Sequence, residues 1–146
     1  MDVAYKSYIE ALDNEKAGGG GELTVKKLKE AIDNGSVEAA YALGSLHLHG
    51  RHVEKDPEKA MALLTIATKN MYVPALMDVA LGSERGDLLP EDHALAFRSY
   101  FLAMLSGNVD ALYEVGRCFY YGIGVNPSER IFDIIMEMHD WKKNQH

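Results

Sequence analysis

Three stretches of this chain decide its fold: VEAAYALGSLHLHG at residues 37–50, VPALMDVALGSERG at 73–86 and VDALYEVGRCFYYG at 109–122. They lie thirty-six residues apart with no insertion. Val37, Ala39, Gly44 and Gly50 return as Val73, Ala75, Ala80 and Gly86, then as Val109, Ala111, Gly116 and Gly122. The same shift carries Asp56 onto Asp92, Ala60 onto Ala96, Leu64 onto Tyr100 and Ala67 onto Ala103. A period of ~20 to 50 residues marks a stack of units, each of which buries its apolar face only against its neighbours.

Each unit reads as two helices. Ala39, Ala40, Leu43 and Leu46 follow helical spacing, and Gly50 supplies the left-handed residue that ends such a run, so a first helix spans 37–49. Asp56, Pro57 and Glu58 open a second at 57–69: a capping carboxylate, a proline where its missing N–H costs nothing, and an acid at the positive helix end. The second unit repeats the plan at 73–85 and 91–105, with Asp92 as the aligned cap behind Pro90 and Glu91. The third gives 109–121, and a last helix opened by Asn126, Pro127 and Ser128 that ends before a polar tail, Trp141 to His146. That helix carries Phe132 where the earlier units have Ala60 and Ala96, as expected of an end element.

Upstream, Leu23–Asn34 matches a second helix whose partner is out of phase, and Val3–Leu12 is a further amphipathic segment. Gly18 to Gly21 separate them as a flexible break with no Gly-Lys-Ser/Thr phosphate loop. The expected organisation is one domain, 1–146: an N-terminal helix at 1–16, a glycine-rich hinge at 17–22, a helix at 23–34, and repeats at 35–70, 71–106 and 107–142. The first helix is expected to cap the stack or to serve as a docking arm.

These residues resemble the Sel-one-like repeat family, relatives of the tetratricopeptide repeats. The matching pattern is Ala39, Leu43, Gly44, Gly50, Val53, Asp56, Ala60 and Ala67, then Ala75, Gly86, Asp92, Ala96 and Ala103, then Ala111, Gly116, Tyr120, Gly122, Gly124 and Val125. Only the third unit has the Gly-x-Gly-Val loop; Arg51 and His52, and Asp87 and Leu88, interrupt it earlier. The resemblance implies an all-α, right-handed superhelical solenoid of antiparallel helix pairs, a protein-binding scaffold with no shared catalytic residues and no cofactor.

Charge narrows the partner. The net charge is −7, and residues 71–146 hold eleven acids against six bases, while residues 17–70 balance at seven each. A nucleic-acid binder needs a basic face, and no lysine or arginine stripe is present, so the expected partner is a cationic protein and not DNA or RNA. No apolar run reaches the ~18 residues of a membrane span, and a single cysteine, Cys118, suits a reducing cytoplasm.

Catalytic and metal chemistry find little support. His47, His49 and His52 cluster near a helix end without a third or fourth ligand at a metal spacing, Cys118 falls in a core row, and no serine sits in a Gly-x-Ser-x-Gly elbow. Most methionines, including Met77, Met104 and Met136, fall on apolar stripes and read as core filling. The open row of the first helices then carries Glu38, Tyr41, Ser45, Leu48 and His49, followed by Asp78, Leu81, Glu84 and Arg85, and by Asp110, Tyr113, Glu114, Arg117, Tyr120 and Tyr121. Tyrosine and arginine among carboxylates are interface residue types. The expected binding patch is Asp78, Leu81, Glu84, Arg85, Tyr113, Glu114, Arg117, Tyr120 and Tyr121, with position 78 beside 114 and 85 beside 121. The expected role is non-enzymatic: an immunity protein that neutralises a basic toxin such as a nuclease effector, or an adaptor that assembles signalling or envelope complexes, with a small hydrolase as a third reading. Ile134, Ile135, Met138 and Trp141 on the last helix leave a homodimer open.

Overall fold

A computed structural model describes residues 2–145; Met1 and His146, the last residue of the expected tail, lie outside it. Among the described residues the chain is all-helical, with eight helices: α1 (Val3–Lys16), α2 (Gly21–Asp33), α3 (Val37–His49), α4 (Pro57–Lys69), α5 (Val73–Arg85), α6 (His93–Leu105), α7 (Val109–Tyr121) and α8 (Glu129–Lys143). The chain divides after Tyr72 into two compact units. In the first, α1 pairs with α2 and α3 with α4, and α2 packs on α3. In the second, α5 pairs with α6 and α7 with α8, and α6 packs on α7.

The helix ends follow from capping chemistry. Ser36, Asp56, Asp92, Asn108 and Ser128 each accept the backbone N–H three residues on, and Gly50 and Gly122 close α3 and α7 at φ 69° and 75°. Two starts differ from expectation. α6 begins at His93 and not at 91, because the Asp92 carboxylate takes the Leu95 N–H at 3.0 Å. α8 begins at Glu129, since its cap is Ser128, thirty-six residues beyond Asp92; Pro127 precedes this cap, whereas Pro57 follows its own. α8 also continues through Trp141 to Lys143, so the first half of the expected tail is helix.

The out-of-phase first hairpin has a simple cause. In α2, Thr24, Leu28 and Ala31 are buried, thirty-six residues before Ala60, Leu64 and Ala67. The connection from α1 is only residues 17–20, where the later hairpins use seven residues (50–56, 86–92 and 122–128), so α1 slides along its partner and buries Ala4, Ser7 and Ala11. The four glycines do not separate the two helices: Asn14 bonds the Gly20 carbonyl at 2.9 Å and the Thr24 hydroxyl at 2.8 Å, and the Thr24 hydroxyl donates to Glu15 at 2.8 Å.

Alanines set the helix spacing. Ala39, Ala75 and Ala111, with Ala60, Ala96, Ala67 and Ala103, are fully buried. In the second unit Leu76, Ala103 and Ala111 pack together, beside a cluster of Ala80, Tyr100, Leu112, Val115, Cys118 and Ile135. At Gly44 an added Cβ would stand 3.3 Å from the Ala60 carbonyl and 3.2 Å from Leu64, so the α3–α4 pair is in direct contact there. Ala111→Leu is expected to overpack the α6–α7 seam and to cost about 1–3 kcal/mol, measured by urea unfolding; a loss below about 0.5 kcal/mol would show that the seam has slack.

Candidate protein-binding site

The expected patch lies within the second unit, on α5 and α7. Its centre is an ion network. One Arg117 Nη donates to Glu84 at 2.6 Å and its Nε to Glu114 at 2.8 Å, while the Tyr100 hydroxyl, reaching out of the core from α6, donates to the same Glu84 oxygen at 2.9 Å. Three helices are thereby tied at one point. The Arg117 guanidinium, then the Tyr100 hydroxyl, hold the Glu84 carboxyl below the usual carboxylate range, against the opposing effect of burial. Burial, then Glu84, pushes the Tyr100 phenol up, and the Glu84 bond, then Glu114, keeps Arg117 firmly charged.

This corrects the expectation of a uniformly open patch. Glu84 has a side chain only 16% exposed, and Glu114 and Arg117 are half-buried with their charges committed to one another. Asp78 is half-buried too. An ion pair between α5 and α7 joins 84 to 117. Arg117 stands one helical turn before the residue that the period aligns with Glu84, and its long side chain spans the offset. What remains exposed is Leu81, Arg85, Tyr113, Tyr120 and Tyr121, the three tyrosines at 47%, 50% and 68%.

The tyrosines border a groove between α7 and α8. It has a volume of about 360 Å³ and is lined by Tyr113, Arg117, Tyr120, Tyr121, Phe132 and Met136. Tyr120 meets Tyr121 edge to face at 4.9 Å between ring centroids and Phe132 at 4.9 Å, and Tyr113 lies 5.6 Å from the His139 ring. Phe132, Met136 and His139 were absent from the sequence reading of the site. Phe132 did carry a signal, since it replaces the alanine of the earlier units.

The corresponding row in the first unit is less open. Leu48, expected at the surface, is buried, as is most of Glu84, which stands thirty-six residues further on. Tyr41 meets Tyr72 in a tilted contact at 5.4 Å between ring centroids, and Glu38 and His49 are exposed. The histidines have separate uses: His47 Nδ1 lies 3.2 Å from the Glu54 carbonyl, and His52 Nε2 is 2.6 Å from Glu15, which also pairs with Arg51 at 2.8 Å. Cys118 is fully buried, and burial pushes its thiol up to about 11, which leaves almost no thiolate at neutral pH. On α8 the exposed apolar stripe is Ile131, Ile134, Met138 and Trp141; Ile135, expected there, points into the core.

Known proteins share this architecture. A solved Sel1 repeat protein from Oxalobacter formigenes superposes with a TM-score of 0.68 at 26% identity, covering 80% of this chain and 88% of its own. A protective antigen of uropathogenic Escherichia coli with an SLR fold gives 0.72 at 25% identity, over 81% of this chain and 25% of its own. Two F-box proteins of Arabidopsis thaliana are 33% and 31% identical over 75% and 68% of this chain, which spans about three tenths of their length. Residues 37–70, 73–105 and 109–131 each match the Sel1 repeat. On these three tandem matches, which cover more than half of its length, the chain belongs to the Sel1 repeat family, whose members are scaffolds for protein–protein interaction.

Proposed function

We propose that this chain is a non-catalytic scaffold that binds a cationic protein through the tyrosine-bearing face of α5 and α7. The observation that carries the reading is the exposure of Tyr113, Tyr120 and Tyr121 together beside a groove, in a unit with eleven acids and six bases whose central arginine is already neutralised. Aromatic anchors within an acidic surround favour a basic partner and speed its association. The specific role we propose is immunity, in which the face covers the basic substrate-binding surface of a toxin such as a nuclease effector. The proposal includes a cytoplasmic site of action, which a single buried cysteine suits. Nucleic acid and membrane are not the partners in this reading.

An adaptor role is the second reading, favoured by the two F-box proteins, which carry a stretch like this chain within a much longer one. The two separate by stoichiometry. Affinity purification of the tagged chain from its own cells is expected to yield one equimolar basic protein, released by raised salt. Leu81→Ala with Tyr121→Ala is expected to weaken that complex about tenfold or more, since exposed anchors contribute ~1 kcal/mol or more each. Several substoichiometric partners would replace immunity by the adaptor role. A partner that is acidic, or whose binding ignores both substitutions, would remove the reading altogether. Self-association through Ile131, Ile134, Met138 and Trp141 belongs to the same proposal, and sedimentation at two concentrations checks it.

A further inference from the structure

The groove between α7 and α8 has a chemistry more particular than its apolar lining suggests. Tyr120, Tyr121 and Phe132 form one aromatic corner, with both ring contacts of Tyr120 at 4.9 Å; Tyr113 lines the groove two turns earlier on α7, and Met136 lines it from α8. The charged group in the wall is Arg117, and its charge is already met: Glu84 at 2.6 Å and Glu114 at 2.8 Å take two of its five N–H donors and leave the three side chains with one surplus negative charge. An anionic ligand would meet two carboxylates before it could claim the guanidinium. A neutral apolar side chain would fill the space and leave that surplus charge and the aromatic faces unused.

We propose that this groove is a receptor for one arginine side chain of the partner protein. The inference rests on the reading of a cationic partner given above and names the group that it would insert. A guanidinium is planar and weakly hydrated, so it stacks on tyrosine and phenylalanine faces at a smaller desolvation cost than an ammonium. Its aliphatic stem covers Met136 and the edge of Phe132, as long charged side chains do on apolar surface. The surplus charge of the Glu84–Arg117–Glu114 network adds attraction without requiring that any bond in the network be broken.

The test needs no partner, so it stands or falls apart from the scaffold reading. The full chain, labelled for aromatic NMR signals, is titrated with N-acetyl-arginine amide and, separately, with its neutral isostere N-acetyl-citrulline amide. The arginine probe is expected to saturate in the millimolar range, with the largest shifts on the rings of Tyr113, Tyr120, Tyr121 and Phe132, and to bind about tenfold tighter than citrulline, as a partly desolvated cation–π contact implies. Tyr120→Leu and, independently, Tyr121→Leu are expected to abolish the arginine preference while helical circular dichroism stays unchanged; both tyrosines are half or more exposed, so the fold does not depend on them. Equal binding of the two probes, shifts centred elsewhere, or an arginine preference that survives both substitutions would overturn the proposal. If the arginine probe binds as stated and a basic partner is later found to dock on another face, the groove's preference for arginine stands and the assignment of the α5–α7 face to that partner is what fails.

Discussion

Replacing Gly124 by alanine is expected to destabilise the second unit by about 3 kcal/mol, among the largest effects of any single methyl group in this chain. Two costs add. Gly124 has φ 70°, a left-handed conformation that costs an L-residue ~1–2 kcal/mol. A Cβ placed there would also run into the His93 carbonyl at the start of α6, and would stand 2.8 Å from Phe97 Cβ. A backbone carbonyl cannot rotate aside as a side chain can, so the loop has to lift off α6. Chemical unfolding of wild type and variant checks the value, and a loss under about 1 kcal/mol would show that the loop moves freely.

The first unit supplies the contrast. His52 occupies the place of Gly124 two periods earlier and holds nearly the same conformation, at φ 63°, as a non-glycine residue. Its imidazole bonds Glu15 at 2.6 Å, an interaction a glycine could not make. In the second unit the equivalent residue, Leu88, is absent from the residues with positive φ, so that loop takes another course. The interruptions seen in the sequence at Arg51–His52 and Asp87–Leu88 thus have different meanings. One keeps the loop shape at a strained residue, and the other abandons it.

Replacing Arg117 by methionine is expected to cost about 2 kcal/mol at neutral pH and to reverse the response to acid. Removing one partner of a buried pair costs ~3–5 kcal/mol, and partial exposure of Arg117 and Glu114 reduces that figure. In the wild type the folded Glu84 carboxyl lies below its unfolded value, so its contribution is present at neutral pH and is lost as pH falls through the folded value. Without the arginine, Glu84 and Glu114 face each other as like charges, which raises one carboxyl above its unfolded value, and the variant then gains stability as that group protonates. Between pH 7 and about 4.5 the wild-type melting temperature is expected to hold and that of the variant to rise, and below about 4.5 the wild type falls as Glu84 loses its advantage over the unfolded chain. Adding Glu114→Gln to the variant should recover part of the loss. A parallel decline of both proteins on acidification would rule out this account. The same network makes Glu114 unsuitable for charge reversal as a probe of binding, because a lysine there would stand beside Arg117.

The sequence fell short where three-dimensional offsets decide. The ends of α3, α4, α5 and α7 could be read because a cap or a left-handed glycine sits at a fixed place in the period, as with Asp56, Gly50, Gly86 and Gly122. The starts of α6 and α8 are less legible, because Pro90 and Pro127 precede the caps there and the oxygen of Asp92 or Ser128 sets the start. The period also correctly drew attention to α5 and α7 as neighbours, since Glu84 and Arg117 do meet. It could not show that they are thirty-three residues apart instead of thirty-six, and that shift alone turns three expected surface charges into a closed network. The groove escaped notice for a related reason. Its second wall, Phe132 and Met136, comes from α8, which departs from the repeat at Phe132.

Cys118 gives the second unit a built-in clock. It is the only sulfhydryl in the chain, sealed in the core beside Tyr100, Leu112 and Val115, and its thiol holds its proton at neutral pH. An alkylating reagent can reach it only when α7 leaves its neighbours, so the labelling rate counts openings of residues 73–146 and is blind to those of residues 2–72. Helical circular dichroism sums both halves. Comparing the two signals along one denaturant series separates the halves' lifetimes in the intact chain, with no cut and no added label.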